Sequence, residues 1–260
     1  MTPPTSHFIW YELMTTDPDA AAKFYGEVVG WSARDFGAPG MDYRLLSSNG
    51  IDVGGLLAIS TDGAANGMRP IWVGYISVAD VDATVAEAMA AGGKTYMPPT
   101  DFPGVGRIAM VTDPQGAAFY AMKPVDMGDL RSQSFDPYKH GHGGWHELHT
   151  SDWEAALAFY GAHFGWRKVD TLDMGPMGKY ITFNTGAGDH IGGMMTDRNF
   201  PKPMWLYYFF VDDIDAAHGR VKAAGGTMLH GPVEVPGGGW IINAKDPQGA
   251  MFALVGPNKK

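Results

Sequence analysis

Residues 10–31 read WYELMTTDPDAAAKFYGEVVGW and residues 145–166 read WHELHTSDWEAALAFYGAHFGW. Trp10/Trp145, Glu12/Glu147, Asp17/Asp152, Phe24/Phe159, Tyr25/Tyr160, Gly30/Gly165 and Trp31/Trp166 all lie 135 residues apart. Further on the spacing becomes 133, and Trp72/Trp205, Asp80/Asp213, Gly92/Gly225 and two Asp-Pro-Gln-Gly tetrapeptides, 113–116 and 246–249, align. A sequence that repeats itself almost to its end encodes two homologous modules. The stretch 10–31 also shows what each module begins with. Asp17 is placed to cap a helix whose first residue is Pro18, Ala20 to Val29 continue it, and Gly30 stops it.

The same rhythm extends along module one. A strand over 7–15 precedes the helix, and short strands near 32–36, 42–48 and 51–59 follow it. A second strand, 71–78, leads into an Ala-rich helix, 81–91, closed by Gly92-Gly93. Strands near 94–97, 106–112 and 117–123 complete the unit. The order is βαβββ twice per module, an α+β architecture dominated by strands. The domain boundaries expected are 1–123, a linker over 124–143, and 144–260. Asp126, Gly128, Asp129, Ser132, Ser134, Asp136, Pro137 and Gly141 give that linker no apolar period, so it should lie over the surface.

Composition narrows the function classes. Among 260 residues, 28 are acidic and 19 basic, a net charge of −9, with no local basic stripe to hold a nucleic-acid backbone. The absence of cysteine excludes disulfides, thiolate nucleophiles and Cys-ligated metals. No apolar run approaches membrane-spanning length, and Met1 to Ser6 open no secretory signal, so a cytoplasmic protein is expected. No phosphate loop, nucleophile elbow or dinucleotide fingerprint is present. Gly54-Gly55 and Gly192-Gly193 read as strand bends. Asp80 and Asp213 read as helix caps, Asp113 and Asp246 as turn residues.

The opening aromatic-x-Glu-Leu-x-Thr with Phe-Tyr-Gly and Gly-Trp, and the closing Asp-Pro-Gln-Gly-Ala-x-Phe, resemble the vicinal oxygen chelate superfamily. That group includes glyoxalase I, bleomycin-resistance proteins and extradiol dioxygenases. The resemblance covers roughly 9–123 and 144–256 and is most like the tandem glyoxalase-like proteins. It implies a pair of βαβββ units per module, curled into a cup-shaped mixed sheet around a small ligand. It also implies metal ligands on the first, fifth and last strands of the module. Those positions fall here at Trp10 and Trp145, about Val73 and Leu206, and Tyr120 and Ala253. Indole N–H only donates, the aliphatic side chains offer no lone pair, and a lone phenolate is no site. No cofactor is therefore expected at the inherited positions.

Chemistry must then come from neighbouring residues. Strand alternation puts Trp10 and Glu12 on one face, and Trp145, Glu147 and His149 on the corresponding face. A carboxylate desolvated among tryptophans is a candidate general base, so Glu147, His149 and Glu12 are the expected catalytic residues. The contrasting expectation is that Glu12 and Glu147 are structural carboxylates. Trp10, Tyr120, Trp145, Trp205, Tyr180, His190 and Arg107 are the expected ligand-contacting residues; the aromatics and nearby methionines suit an apolar or planar molecule. Arg107 would meet an anionic group or extend along a strand end.

Eight of the nine histidines lie at or beyond residue 140. The run His140, His142, His146, His149 invites a metal reading, with Glu147, His149 and His190 as displaced ligands. The plainer reading is a linker joined to a strand. Module one carries Met14 where module two has His149 and Asp52 where module two has His190, so module two is the better candidate for catalysis. Three functions remain open. The first is a small-molecule-binding protein with metal-independent lyase- or isomerase-type chemistry. The second is a divalent-metal lyase or dioxygenase, and the third a non-catalytic sequestering or resistance protein. A monomer or homodimer is expected.

Overall fold

The computed structural model describes residues 6–37, 40–125, 132–186, 188, 190–198, 200 and 202–259. Module one runs β1 (Phe8–Thr15), α1 (Pro18–Val29), β2 (Ser32–Asp35), β3 (Tyr43–Ser48), β4 (Ile51–Ala58), α2 (Thr61–Ala65), β5 (Ile71–Ser77), α3 (Val81–Ala90), β6 (Thr95–Phe102), β7 (Gly106–Thr112) and β8 (Ala118–Pro124). Module two repeats it as β9 (Gly143–Thr150), α4 (Trp153–Phe164), β10 (Arg167–Asp173), β11 (Lys179–Asn184), β12 (Gly192–Thr196), β13 (Met204–Phe210), α5 (Ile214–Ala223), β14 (Thr227–Glu234), β15 (Trp240–Lys245) and β16 (Met251–Gly256). The short α2 was not anticipated; Ser60 caps it by accepting the Gly63 N–H at 3.0 Å. Helix α1 begins and ends as expected. The Asp17 carboxylate accepts the Ala20 N–H, Pro18 occupies the first turn, and Gly30 closes the helix at φ 86°.

Each module forms one open eight-stranded mixed sheet, ordered β2-β3-β4-β1-β5-β8-β7-β6 and β10-β11-β12-β9-β13-β16-β15-β14. Within each, first and fourth strands of a βαβββ unit run parallel, as β1 with β4 and β9 with β12. Among the described residues no helix is long and apolar enough to cross a membrane.

Packing divides the chain differently from the repeat. Two compact units emerge, each joining half of one module to half of the other. The first takes β6–β8 with most of β9–β12; the second takes most of β1–β4 with β14–β16. A buried polar relay recurs in both. In the first unit the Trp205 indole donates to the Tyr160 hydroxyl at 2.9 Å, which donates to Asp113 at 3.2 Å. In the second, Trp72 donates to Tyr25 at 2.8 Å and Tyr25 to Asp246 at 3.1 Å. The other oxygen of each aspartate gathers the N–H groups of its own Asp-Pro-Gln-Gly turn. Thus the turn aspartates do more than shape turns: they tie a helix of one module to a turn of the other. Burial raises both carboxyl pKa values, partly offset by those N–H and hydroxyl donors.

The linker departs from expectation. Asp126, Gly128 and Asp129 lie outside the described residues, as do Met1 to Thr5. The remainder is laid over the surface only in part: Tyr138 is 81% exposed, whereas Ser134 and His142 are each only 1% exposed. Trp31 donates to Gly141 O at 2.7 Å, Ser48 to His140 O at 2.7 Å, and Gly141 N to Phe210 O at 2.8 Å. Its polar residues satisfy buried backbone groups, which a hydropathy pattern does not distinguish from solvation.

Candidate functional site

The site of module two is built on three adjacent strands. β9 and β12 pair in register, Glu147 beside Gly193 and His149 beside Met195. On the next strand, β11, Tyr180 reaches across β12 and donates to Glu147 Oε2 at 2.9 Å. Only glycine permits this crossing. A Cβ on Gly193 would stand 2.2 Å from the Tyr180 ring. The paired glycines expected to bend strands thus clear space for a tyrosine.

His149 lies between two carboxylates. Its Nδ1 is 3.1 Å from Asp197 Oδ2, and its Nε2 is 2.9 Å from Glu147 Oε1. The first contact is an aligned hydrogen bond. The second is an ion contact at hydrogen-bond distance, off the line of a good bond, and Nε2 is buried. The imidazole also stacks on Phe200, centroids 4.0 Å apart and planes at 16°. Burial pulls the His149 pKa down, but Glu147 and Asp197 outweigh it and the net shift is upward. An imidazolium held between carboxylates can store a proton and return it to a carboxylate.

Module one carries half of this arrangement. The Trp10 indole donates to the Tyr43 hydroxyl at 3.0 Å, and Tyr43 bonds Glu12, which is 2% exposed. Burial first, and the Glu12 charge second, push the Tyr43 hydroxyl pKa up. Gly55 makes room as Gly193 does, for a Cβ there would fall 2.0 Å from the Tyr43 hydroxyl. Where module two has His149 and Asp197, module one has Met14 and Ile59. The equivalence is fixed by the ladder: Ile59 N bonds Thr15 O as Asp197 N bonds Thr150 O.

The other expected site residues are dispersed. Trp145 is half-buried against Leu206, Tyr208 and Ala253. Tyr120 is buried and stacks on Tyr75 at 4.2 Å. Trp205, 2% exposed, is committed to the Tyr160 relay in the core. Arg107 stays at the surface, paired with Asp82 at 2.6 Å and Asp101 at 3.0 Å. His190 is exposed just before β12, and Asp197 stands as the third partner that His190 was expected to supply. The histidine run breaks up. His140 donates to Val29 O, His142 to Gln133 O and His146 to Ile191 O, each at 2.6 Å. His146 stacks on Phe8, and burial holds its pKa down at about 3.

Asp197 and Phe200 escaped the sequence reading. Their signal was the ladder between β9 and β12, which places Asp197 two residues beyond the partner of His149. The two best-defined cavities, about 650 and 290 Å³, lie elsewhere, the larger around Asp19, Asp35 and Arg44 and the smaller around His140 and Arg220. They are shallow surface hollows, and the buried carboxylate–imidazole cluster is the better guide to chemistry.

Two tandem βαβββ pairs with open mixed sheets define a glyoxalase-type fold. A model of the Glyoxalase/Bleomycin resistance protein/Dioxygenase superfamily matches residues 7–120 and 144–254, and the chain belongs to that superfamily. It is 35% identical over 254 residues to "Putative glyoxylase CFP32" of Mycobacterium bovis, covering 95% of this chain and 94% of that one. It is 32% identical over 259 residues to "Anthracycline biosynthesis protein DauV" of Streptomyces sp. strain C5, covering 95% and 91%. Among solved structures it is similar to the Mn(II)-bound glyoxalase from Novosphingobium aromaticivorans, with 18% identity, a TM-score of 0.66, and coverage of 98% of this chain and 83% of that one.

Such neighbours raise the question of a divalent ion. In module two the positions implied for its ligands do converge, since Trp145, Leu206 and Ala253 share one apolar cluster. Their side chains supply no lone pair, so the geometry persists without the donors and the residues do not fit a metal. At the Glu147 cluster both imidazole nitrogens already face carboxylates.

Proposed function

We propose that this protein binds a small apolar or planar aromatic molecule in the strand-lined cup of module two and acts on it by metal-independent proton transfer, of lyase or isomerase type. Glu147 is the acid–base residue and His149 its proton partner. The observation that carries this reading is the Glu147–His149–Asp197 cluster, whose His and Asp are replaced by Met14 and Ile59 in the sister module. A buried ionic group set into one of two otherwise matching strand pairs adds nothing that the fold requires, since module one forms the same ladder without it. Similarity to a protein named for anthracycline biosynthesis supports a fused aromatic ligand.

The Glu12–Tyr43 pair favours a second reading, in which the protein only holds its ligand. It shows that a glutamate–tyrosine bond persists at this position without a histidine, so Glu147 alone is not a signature of catalysis. Screening aromatic ketones, quinones and phenols by tryptophan quenching, followed by product analysis, separates the two. The proposal expects saturable quenching with chelator-insensitive turnover that Glu147→Gln abolishes. Saturable quenching with no product from any quenching ligand leaves the binding-only reading.

A further inference from the structure

Of Glu147, Asp197 and Phe200, which contact the His149 ring, Asp197 alone approaches the imidazole edge opposite Glu147. Its backbone is fixed one residue past β12, where its N–H donates to Thr150 O at 2.9 Å. The preceding Thr196 is fixed too, its hydroxyl accepting the Trp153 N–H at 3.1 Å. Phe200 sets the plane of the ring from its face. With plane and edge both fixed, the two nitrogens are not interchangeable. Nδ1 is aligned on Asp197 Oδ2, while Nε2 is buried beside Glu147 Oε1 without alignment. An ionised carboxylate only accepts, so the aligned nitrogen carries a proton. A buried nitrogen left unaligned costs free energy, and such groups persist where the second alignment is used.

We propose that Asp197 is the positioning residue of this site: it holds the proton on His149 Nδ1, so that Nε2 is the nitrogen that exchanges a proton with Glu147. In that exchange Nε2 loses the proton that Glu147 Oε1 gains, and the reverse step restores both. Nothing else changes covalently. The charged and titratable groups facing the ring are Glu147 from β9 and Asp197 after β12, with Tyr180 of β11 acting through Glu147. The use of this proton in turnover rests on the function proposed above; the assignment of the two nitrogens does not.

The test is ¹⁵N NMR of histidine-labelled, ligand-free protein, with the His149 signals assigned by their loss in His149→Met. Wild type is expected to show protonated Nδ1 throughout the titration, with Nε2 as the site that titrates. Asp197→Asn is expected to scramble the tautomer and move the midpoint down, while His146 and His163 keep their shifts. Asp197→Ile installs the side chain that module one carries at this place, and serves if the Asn variant does not fold; the same changes are expected. A His149 tautomer and midpoint unchanged by loss of the carboxylate overturn the proposal. Because no substrate is present, that result leaves the acid–base role of Glu147 untouched, and a failed search for turnover leaves the Asp197 result standing.

Discussion

The two modules share a polar motif and differ at two ladder positions beside it, Met14 and Ile59 against His149 and Asp197. In both, a tyrosine crosses a glycine to bond a glutamate on the first strand. In module one Met14 and Ile59 stand at the ladder positions beside that glutamate, and the strand pair forms without a charged group there. In module two His149 and Asp197 occupy the same ladder positions and turn a structural bond into a charged cluster. On the function proposed above, the unshared His149 and Asp197 are what distinguish Glu147 from Glu12. A duplicated fold allows this, because one copy can carry apolar side chains where the other carries a costly buried charge.

The largest expected effect comes from erasing the difference. His149→Met with Asp197→Ile writes module one into module two. It should reduce turnover by about 10²- to 10⁴-fold, the usual worth of a positioned acid–base group, without loss of near-UV circular dichroism. Next comes the metal. Elemental analysis of untagged protein, before and after reconstitution with zinc, nickel, manganese and ferrous iron, should find no stoichiometric ion, since Trp145, Leu206 and Ala253 offer no donor. Tight one-to-one binding would contradict the reading of those positions.

The relays should show no such asymmetry. Tyr25→Phe and Tyr160→Phe each remove one donor from a buried carboxylate, and each should cost roughly 1.5–3 kcal/mol by urea unfolding, the range for hydrogen bonds to charged groups. Unequal losses would show that the symmetry of the core is only geometric. The smallest effect is in pH. The folded pKa of His149 is raised above the unfolded value, so its contribution is complete below about pH 6.5 and is lost as pH rises through the folded value. The stability of wild type relative to the Met14-like, Ile59-like double variant should therefore decline towards alkaline pH. A difference that is flat between pH 5 and 9 would deny the cluster its charge.

Much of the fold was legible because local signals agreed. Asp17, Pro18 and Gly30 bound a helix unambiguously, and the repeat confirmed the elements that the two modules share. That Glu147 and His149 share a strand face was legible from alternation, and module two was singled out by the asymmetry between modules, whereas Tyr180 was expected only as a ligand-contacting aromatic and its bond to Glu147 was not legible. Asp197 was not, because its relation to His149 exists only through the register of two strands whose paired residues, such as Met195 and His149, lie 46 apart in the chain, roughly the reach of a whole βαβββ unit rather than a local motif. The linker misled for a different reason. Polar residues such as Ser134 and His142 serve buried backbone groups as readily as water, and composition reports only that they are polar. Trp205 shows the reverse ambiguity, since an aromatic on a strand suits a ligand wall or a core equally until its indole N–H finds Tyr160.

The central claim is that Glu147 works and Glu12 does not. The direct measurement is kcat for wild type, Glu12→Gln and Glu147→Gln on the first aromatic compound found to be turned over. Glu147→Gln should abolish turnover and Glu12→Gln should leave it within a few-fold of wild type. Equal losses in the two variants, or an active Glu147→Gln, would contradict the account.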